Sequence, residues 1–157
     1  MPAIVGLLAD DPLGAGRERP GSLAAYERAF AAIDADPAHR LVVLEDDGMV
    51  VGTLQLSFLP GLSRGGAWRG QIEAVRVASS HRGHGLGERL VGWAVEESRR
   101  RGCALVQLTT DKSRGDAHRF YARLGFEPSH EGLKMTLTTP SQEHKTTPSQ
   151  DHEQEQG

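Results

Sequence analysis

The sequence predicts a mixed α/β domain built on a mostly antiparallel sheet flanked by helices, and three observations carry that prediction. Residues His39 to Phe58 alternate and turn as a β-hairpin. Ile72 to Arg101 reads as a strand, a glycine-rich loop and a strongly amphipathic helix. Beyond that helix, strand and helix patterns alternate to the end of the ordered sequence. A length of 157 residues suits one domain, and 38% hydrophobic with 25% charged residues allows a buried core inside a soluble surface.

The elements follow in order. Ile4, Val5, Leu7 and Leu8 fall on one helical face, and Asp10-Asp11-Pro12 with Gly14 and Gly16 ends that segment. Ser22 is the expected N-cap of a second helix reaching about Ile33, with Tyr26 and Phe30 one turn apart, and Asp36-Pro37 stops it. Strands are expected from His39 to Glu45 and from Met49 to Phe58, joined by the turn Asp46-Asp47-Gly48. A glycine-rich connection, Pro60 to Gly70, leads into a third strand from Gln71 to Val77. Gly85 to Arg101 is a helix burying Leu86, Leu90, Val91, Ala94 and Val95. A strand from Cys103 to Thr110, a short helix from Asp116 to Leu124 closed by Gly125, and a last strand from Leu133 to Leu137 complete the domain, 1–138. Residues 139–157 belong to a polar, nearly duplicated unit that begins at Thr138. Such a stretch buries too little apolar surface to offset its chain entropy, so it is expected to be a disordered tail.

Bulk properties exclude several functions. The net charge of -3 argues against a nucleic-acid surface, which needs clustered cations. Arg99, Arg100 and Arg101 do cluster, but Glu96 and Glu97 precede them by a turn, as at a solvated helix end. Cys103 stands alone in an apolar run and reads as a core thiol, not a nucleophile. No apolar run is long enough to cross a membrane, and the N-terminus has no signal-peptide pattern. The expectation is a cytoplasmic protein. His81, His84 and His118 have no third ligand at suitable spacing, so no metal site is expected.

The chemistry lies in the segment Arg82-Gly83-His84-Gly85-Leu86-Gly87. A strand feeds this loop and the loop opens a helix, so free amides and the positive helix end point into it. Glycines let the backbone close on an anion, and Arg82 adds charge; the loop reads as a phosphate or pyrophosphate binder. A P-loop would need Gly-Lys followed by Ser or Thr, which is absent. A dinucleotide fingerprint needs Gly-x-Gly-x-x-Gly, whereas Gly83 to Gly87 reads Gly-x-Gly-x-Gly. Asp111 past the next strand keeps a dinucleotide fold conceivable, but the hairpin ahead of the loop opposes it.

Arg82, Gly85 and Gly87 match Arg/Gln-x-x-Gly-x-Gly/Ala, and Ala117, Phe120-Tyr121 and Gly125-Phe126 follow in order downstream. With these two motifs the chain resembles the GNAT superfamily of N-acetyltransferases over roughly Leu41 to Leu137. The resemblance implies transfer of an acetyl group from acetyl-CoA to a primary amine of a small molecule or peptide. The alternative is a non-catalytic acyl-CoA-binding regulatory module. Two departures stand out: the first strand of that fold has no counterpart here, and Arg114 occupies a position where many members carry asparagine.

The resemblance also implies roles. Val75, Arg76 and Val77 would pair through their backbone with the pantetheine arm, and Arg82, Gly83, His84, Gly85, Leu86 and Gly87 would hold the pyrophosphate. Tyr121 would protonate the leaving thiolate, against the alternative of a core aromatic. Glu73 is the candidate base because two-residue alternation puts it on a face with Gln71, Val75 and Val77; an ion pair with an arginine is the competing reading. Acceptor walls would come from Leu7 to Phe30 and from Pro60 to Gly70, with Arg64, Trp68 and Arg69 as candidate lining. A homodimer is compatible with the sequence.

Overall fold

The computed structural model describes residues 1–137; the expected polar tail lies outside the described residues. It begins on helix α1 (Pro2–Ala9), with proline in the first turn where its missing N–H costs nothing. Among the described residues, α1 is the first element. Val5 and Leu7 of α1 are buried. Asp11 then caps a single turn, α2 (Pro12–Ala15), by accepting the Gly14 N–H at 2.7 Å.

Helix α3 (Ala24–Ala35) corrects one expectation. Leu23, not Ser22, holds the cap position, and no side chain caps it. The Ser22 amide instead closes a turn on the Arg19 carbonyl. Tyr26 holds that turn in place: its hydroxyl accepts the Arg19 N–H at 2.9 Å and donates to Glu18 at 2.8 Å. Asp36 ends α3 in an extended conformation, as expected before Pro37.

Strands β1 (His39–Asp46) and β2 (Met49–Leu59) form the expected hairpin, with Asp47 and Gly48 both at positive φ in its tight turn. The following connection contains one distorted turn, α4 (Ser63–Gly66). Strand β3 (Arg69–Val77) pairs antiparallel with β2, and β4 (Leu105–Leu108) pairs parallel with β3. The sheet order is β1-β2-β3-β4. Between β3 and β4 run a 3₁₀ turn (Ser79–His81), the glycine loop and helix α5 (Leu86–Arg100); α6 (Gly115–Arg123) follows β4.

The core lies between the sheet and α5. Leu54, Leu56, Phe58 and Ile72 meet Leu90, Val91 and Ala94, each at most 2% exposed. Burying such a side chain contributes about 1.5–3 kcal/mol. The approach is close: a Cβ on Gly70 would come within 2.3 Å of the Ser98 hydroxyl oxygen. Of the predicted α5 stripe, Leu86 and Val95 are only half-buried, while Glu97 and Ser98 are buried. Glu97 tolerates burial because Arg100 and Arg101 pair with its carboxylate, and Ser98 donates to the Ala94 carbonyl.

The expected last strand does not form. Residues 131–137 make no ladder, and Leu133, Met135 and Leu137 are 94%, 86% and 83% exposed. A strand is stable only when paired, and its apolar period meets no partner among the described residues.

Candidate active site

The glycine loop is shaped by backbone conformation. Gly83 (φ 81°) and Gly85 (φ 75°) are left-handed, and Gly85 is the N-cap of α5. The first bond of α5 runs from the Arg89 amide to the Gly85 carbonyl. Among the described residues, nothing accepts a hydrogen bond from the amides of residues 83–88. Six consecutive donors at the positive end of a 15-residue helix fit a pyrophosphate. His84 is exposed beside them, and Leu86 is half-buried.

Arg82 behaves differently from the expectation of a phosphate-facing cation. Its guanidinium is turned to the Val77 carbonyl at 3.1 Å and to the Asp10 carbonyl at 2.7 Å. Asp10 also accepts the Ser79 amide at 2.8 Å. Arg82 therefore fastens the end of α1 to the end of β3, leaving the backbone amides as the main anion donors.

Beside the loop the sheet opens. The β3–β4 ladder runs only from Arg69–Leu105 to Ile72–Leu108, so Glu73 to Val77 have no partner on that side. On the other side Thr53 pairs with Arg76 but Gln55 with Glu73, which leaves one extra residue on β3. That bulge carries Ala74 at φ 54°, a conformation rare for alanine. It brings Val75 and Val77 into the core beside Ile72. An unpaired strand edge ending in an amide-lined loop fits an extended amide-bearing arm lying along Val75, Arg76 and Val77.

The bulge overturns the alternation argument for Glu73. Gly70, Ile72, Val75 and Val77 face α5, so Glu73 shares the opposite face with Gln71 alone among its predicted companions. That face is polar: Glu73 stands opposite Gln55, and Gln107 donates to Gln71 at 2.7 Å. Glu73 is exposed and, among the described residues, has no ion pair, so the arginine-partner reading loses its support.

Helix α6 packs beside the loop and the core through its aromatic side chains. Phe120 lies against the loop, where a Cβ on Gly87 would be 3.3 Å from its ring. Tyr121 packs edge-on against Phe120 and Phe126. Burial pushes its phenol above the usual tyrosine range, and Arg114 and Arg76 pull the other way. Tyr121 is thus both a core aromatic and a protonated hydroxyl beside two cations.

Those cations belong to a cluster that sequence reasoning missed. Asp11, with its side chain 8% exposed, lies 3.1 Å from Arg76 Nε and 3.7 Å from Arg114 Nη1. Burial lowers the Arg76 pKa, Asp11 opposes the shift, and Arg114 and Arg17 add to it. Arg114 was visible as a departure from the family motif; nothing in the sequence joined Asp11 to Arg76. Arg64 and Trp68 are exposed, while Arg69 is half-buried. His118 bonds the Asp111 carbonyl at the surface and His81 lies 3.4 Å from Asp46. No group of three metal-ligating side chains occurs among the described residues. A cleft of about 400 Å³, lined by Leu44, Val51, His81, His84, Leu86 and Arg89, adjoins the loop on its hairpin side, and neither Tyr121 nor Arg76 lines it. No helix among the described residues is long and apolar enough to cross a membrane.

Comparison with known proteins agrees with this geometry. Residues 5–126 match the model of the acetyltransferase (GNAT) family. The aminoalkylphosphonate N-acetyltransferase of Salmonella typhimurium is 38% identical over 106 residues, 68% of each chain. The glucosamine 6-phosphate N-acetyltransferase of Trypanosoma brucei brucei is 37% identical over 90 residues, 57% of this chain and 59% of that one. A crystal structure described as a transcriptional regulator from Bacillus halodurans superposes with a TM-score of 0.84 at 49% identity, covering 87% of this chain and 92% of that one. Family match, named relatives and fold agree: the chain belongs to the acetyltransferase (GNAT) family and is an acetyl-CoA-dependent N-acetyltransferase.

Proposed function

We propose that this chain, working in the cytoplasm, acetylates the primary amine of a small molecule that also carries an acidic group. The observation that carries the acceptor class is the cluster beside Tyr121, where the guanidinium groups of Arg76 and Arg114 flank the single carboxylate of Asp11. A simple ammonium ion is repelled by an excess of guanidinium charge, whereas an acceptor with its own anion is drawn in. The two curated relatives support this reading, since their names specify an aminoalkylphosphonate and a sugar phosphate amine.

Acetyl-CoA supplies an activated thioester carbonyl when bound. The amides of residues 83–88 hold its pyrophosphate, and the backbone of Val75, Arg76 and Val77 holds its pantetheine arm. Glu73 takes the proton from the acceptor ammonium, directly or through water, from its exposed place on the polar face of β3. Nearby guanidinium charge also favours the free amine, the form that attacks. Tyr121 gives its phenolic proton to the leaving sulfur; burial keeps that phenol protonated at neutral pH.

Turnover of acetyl-CoA with a panel of amines, read as released thiol, tests the proposal. The panel pairs each aminophosphonate, aminophosphate or amino acid with the same amine lacking its acid. A higher kcat/KM for the acidic member of each pair is expected. Equal or better turnover of the plain amines would remove the acidic-acceptor reading, and no turnover of any amine would leave a binding module.

A further inference from the structure

The connection between α2 and α3 is held more firmly than an exposed loop requires. At one end it is seated on α1: a side chain on Gly14 would run into the Leu8 carbonyl, so α2 lies directly against that helix. Asp11 caps the Gly14 amide, and the Gly14 carbonyl accepts the amides of Arg17 and Glu18, each at 2.8 Å. At the other end the connection is tied to α3, where the Tyr26 hydroxyl accepts the Arg19 N–H and donates to Glu18. Residues 15–22 are exposed, with only Glu18 half-buried, and neither they nor Tyr26 belong to the core cluster. These bonds therefore fix the loop itself, not the packing beneath it.

What the loop carries towards the site is Arg17. It stands one short helix beyond Asp11, whose carboxylate is 3.1 Å from Arg76. The β3–β4 ladder ends at Ile72–Leu108, so Arg76 on one strand and Asp111 past the other flank the gap. Arg17 acts on both. Burial is the main cause of the lowered Arg76 pKa and hydrogen bonding from Ser113 of the lowered Asp111 pKa, and the Arg17 charge adds to each. A cation that acts on both flanks lies over the mouth of the gap. The Arg76 side chain is only 16% exposed, whereas Arg17 is an exposed residue that an arriving anion reaches first. A guanidinium fork matches a carboxylate or phosphonate in two parallel hydrogen bonds, but a long side chain on a loose loop loses affinity to the cost of ordering it. Fixing the backbone beside it removes part of that cost.

We propose that Arg17 determines specificity by gripping the acid group of the acceptor, and that Tyr26 is the positioning residue that holds Arg17 over the gap. The assignment rests on the acidic-acceptor reading and names the side chain that reads the acid. Tyr26 touches no substrate. It acts through the backbone, because Glu18 and Arg19 pinned to α3 leave the preceding residue a narrow range from which to present its guanidinium.

Acetyl-CoA turnover with 2-aminoethylphosphonate and with β-alanine, each against ethylamine, tests it, since both acids are ethylamine with one acidic group added. The quantity read is the ratio of kcat/KM for the acid to kcat/KM for ethylamine, from which any unfolded fraction of a variant cancels. Arg17→Gln should lower that ratio by about tenfold or more, as for loss of a charge-assisted hydrogen bond, and Arg17→Lys should keep most of it. Tyr26→Phe should lower it by about threefold, as for one side chain that must be ordered anew. In the Arg17→Gln background Tyr26→Phe should change the ratio no further, because its effect runs through Arg17. A wild-type ratio near one with both acids, or no turnover of any of the three amines, ends the acidic-acceptor reading and this proposal with it. A high wild-type ratio that Arg17→Gln leaves unchanged overturns the role of Arg17 and leaves that reading standing. A Tyr26→Phe effect that is absent, or that persists in the double variant, overturns the positioning role.

Discussion

Replacing Asp11 by asparagine removes one negative charge from the site and leaves the shape of the residue intact. The new amide oxygen still accepts the Gly14 N–H, so the α2 cap survives. What is lost is the counter-charge between Arg76 and Arg114, at 3.1 Å and 3.7 Å. Breaking a fully buried pair from one side costs about 3–5 kcal/mol. Here Asp11 is 8% and Arg76 16% exposed, but Arg114 is 38% exposed and partly hydrated. The expected loss is therefore roughly 2–4 kcal/mol, about a kilocalorie less than for a fully buried pair. With a urea slope of about 2 kcal/mol/M, usual for a small domain, the unfolding midpoint should fall by roughly 1–2 M. The half-exposed Trp68 and Trp93 provide a fluorescence signal. Arg76→Gln and the double variant complete a cycle, in which a favourable coupling of about 1–3 kcal/mol is expected. A midpoint shift near zero, or a double variant that is the sum of the singles, would refute the idea that Asp11 organises this cluster.

Three further outcomes address the chemistry. Gly85→Glu should abolish acetyl-CoA binding by calorimetry, because it puts a side chain and a like charge at a left-handed loop position; undiminished affinity would remove the loop assignment. Tyr121→Phe should lower kcat by about tenfold to a thousandfold while acetyl-CoA affinity holds. Burial raises the Tyr121 pKa, so the acid stays loaded above the ordinary phenol range, and any decline of kcat due to its ionisation should begin later than for a free tyrosine; equal turnover in the phenylalanine variant would sink its role. Glu73→Gln should lower kcat/KM and flatten the acid limb of its pH profile; a wild-type profile would end the claim for this carboxylate.

The parts of the fold with strong local patterns were readable from residues alone. The hairpin had its Asp-Asp-Gly turn, α5 its apolar stripe, and the loop its alternating glycines. What stayed hidden was set by tertiary contacts. Ala74 at positive φ has no signature, since nothing about alanine announces a bulge; yet that bulge decides which face Glu73 and Val75 occupy. Ser22 had the chemistry of a cap, but the Tyr26 hydroxyl tied back the preceding turn and the helix began later. Asp11 read as a helix stop because its partner at Arg76 is distant in sequence. The pattern at 133–137 was readable as a strand, while its lack of a neighbour was not.

The clasp made by Arg82 has a consequence for how kinetic data will sort. One guanidinium grips both the Val77 carbonyl, beside which the cosubstrate arm is proposed to lie, and Asp10, at the end of a helix proposed to wall the acceptor side. On that proposal the two substrates are received by surfaces hinged on a single side chain. Substitutions at Asp10 or Arg82 will not divide into cosubstrate mutants and acceptor mutants. Both Michaelis constants will move together, and a residue remote from the amine will register as if it helped choose it.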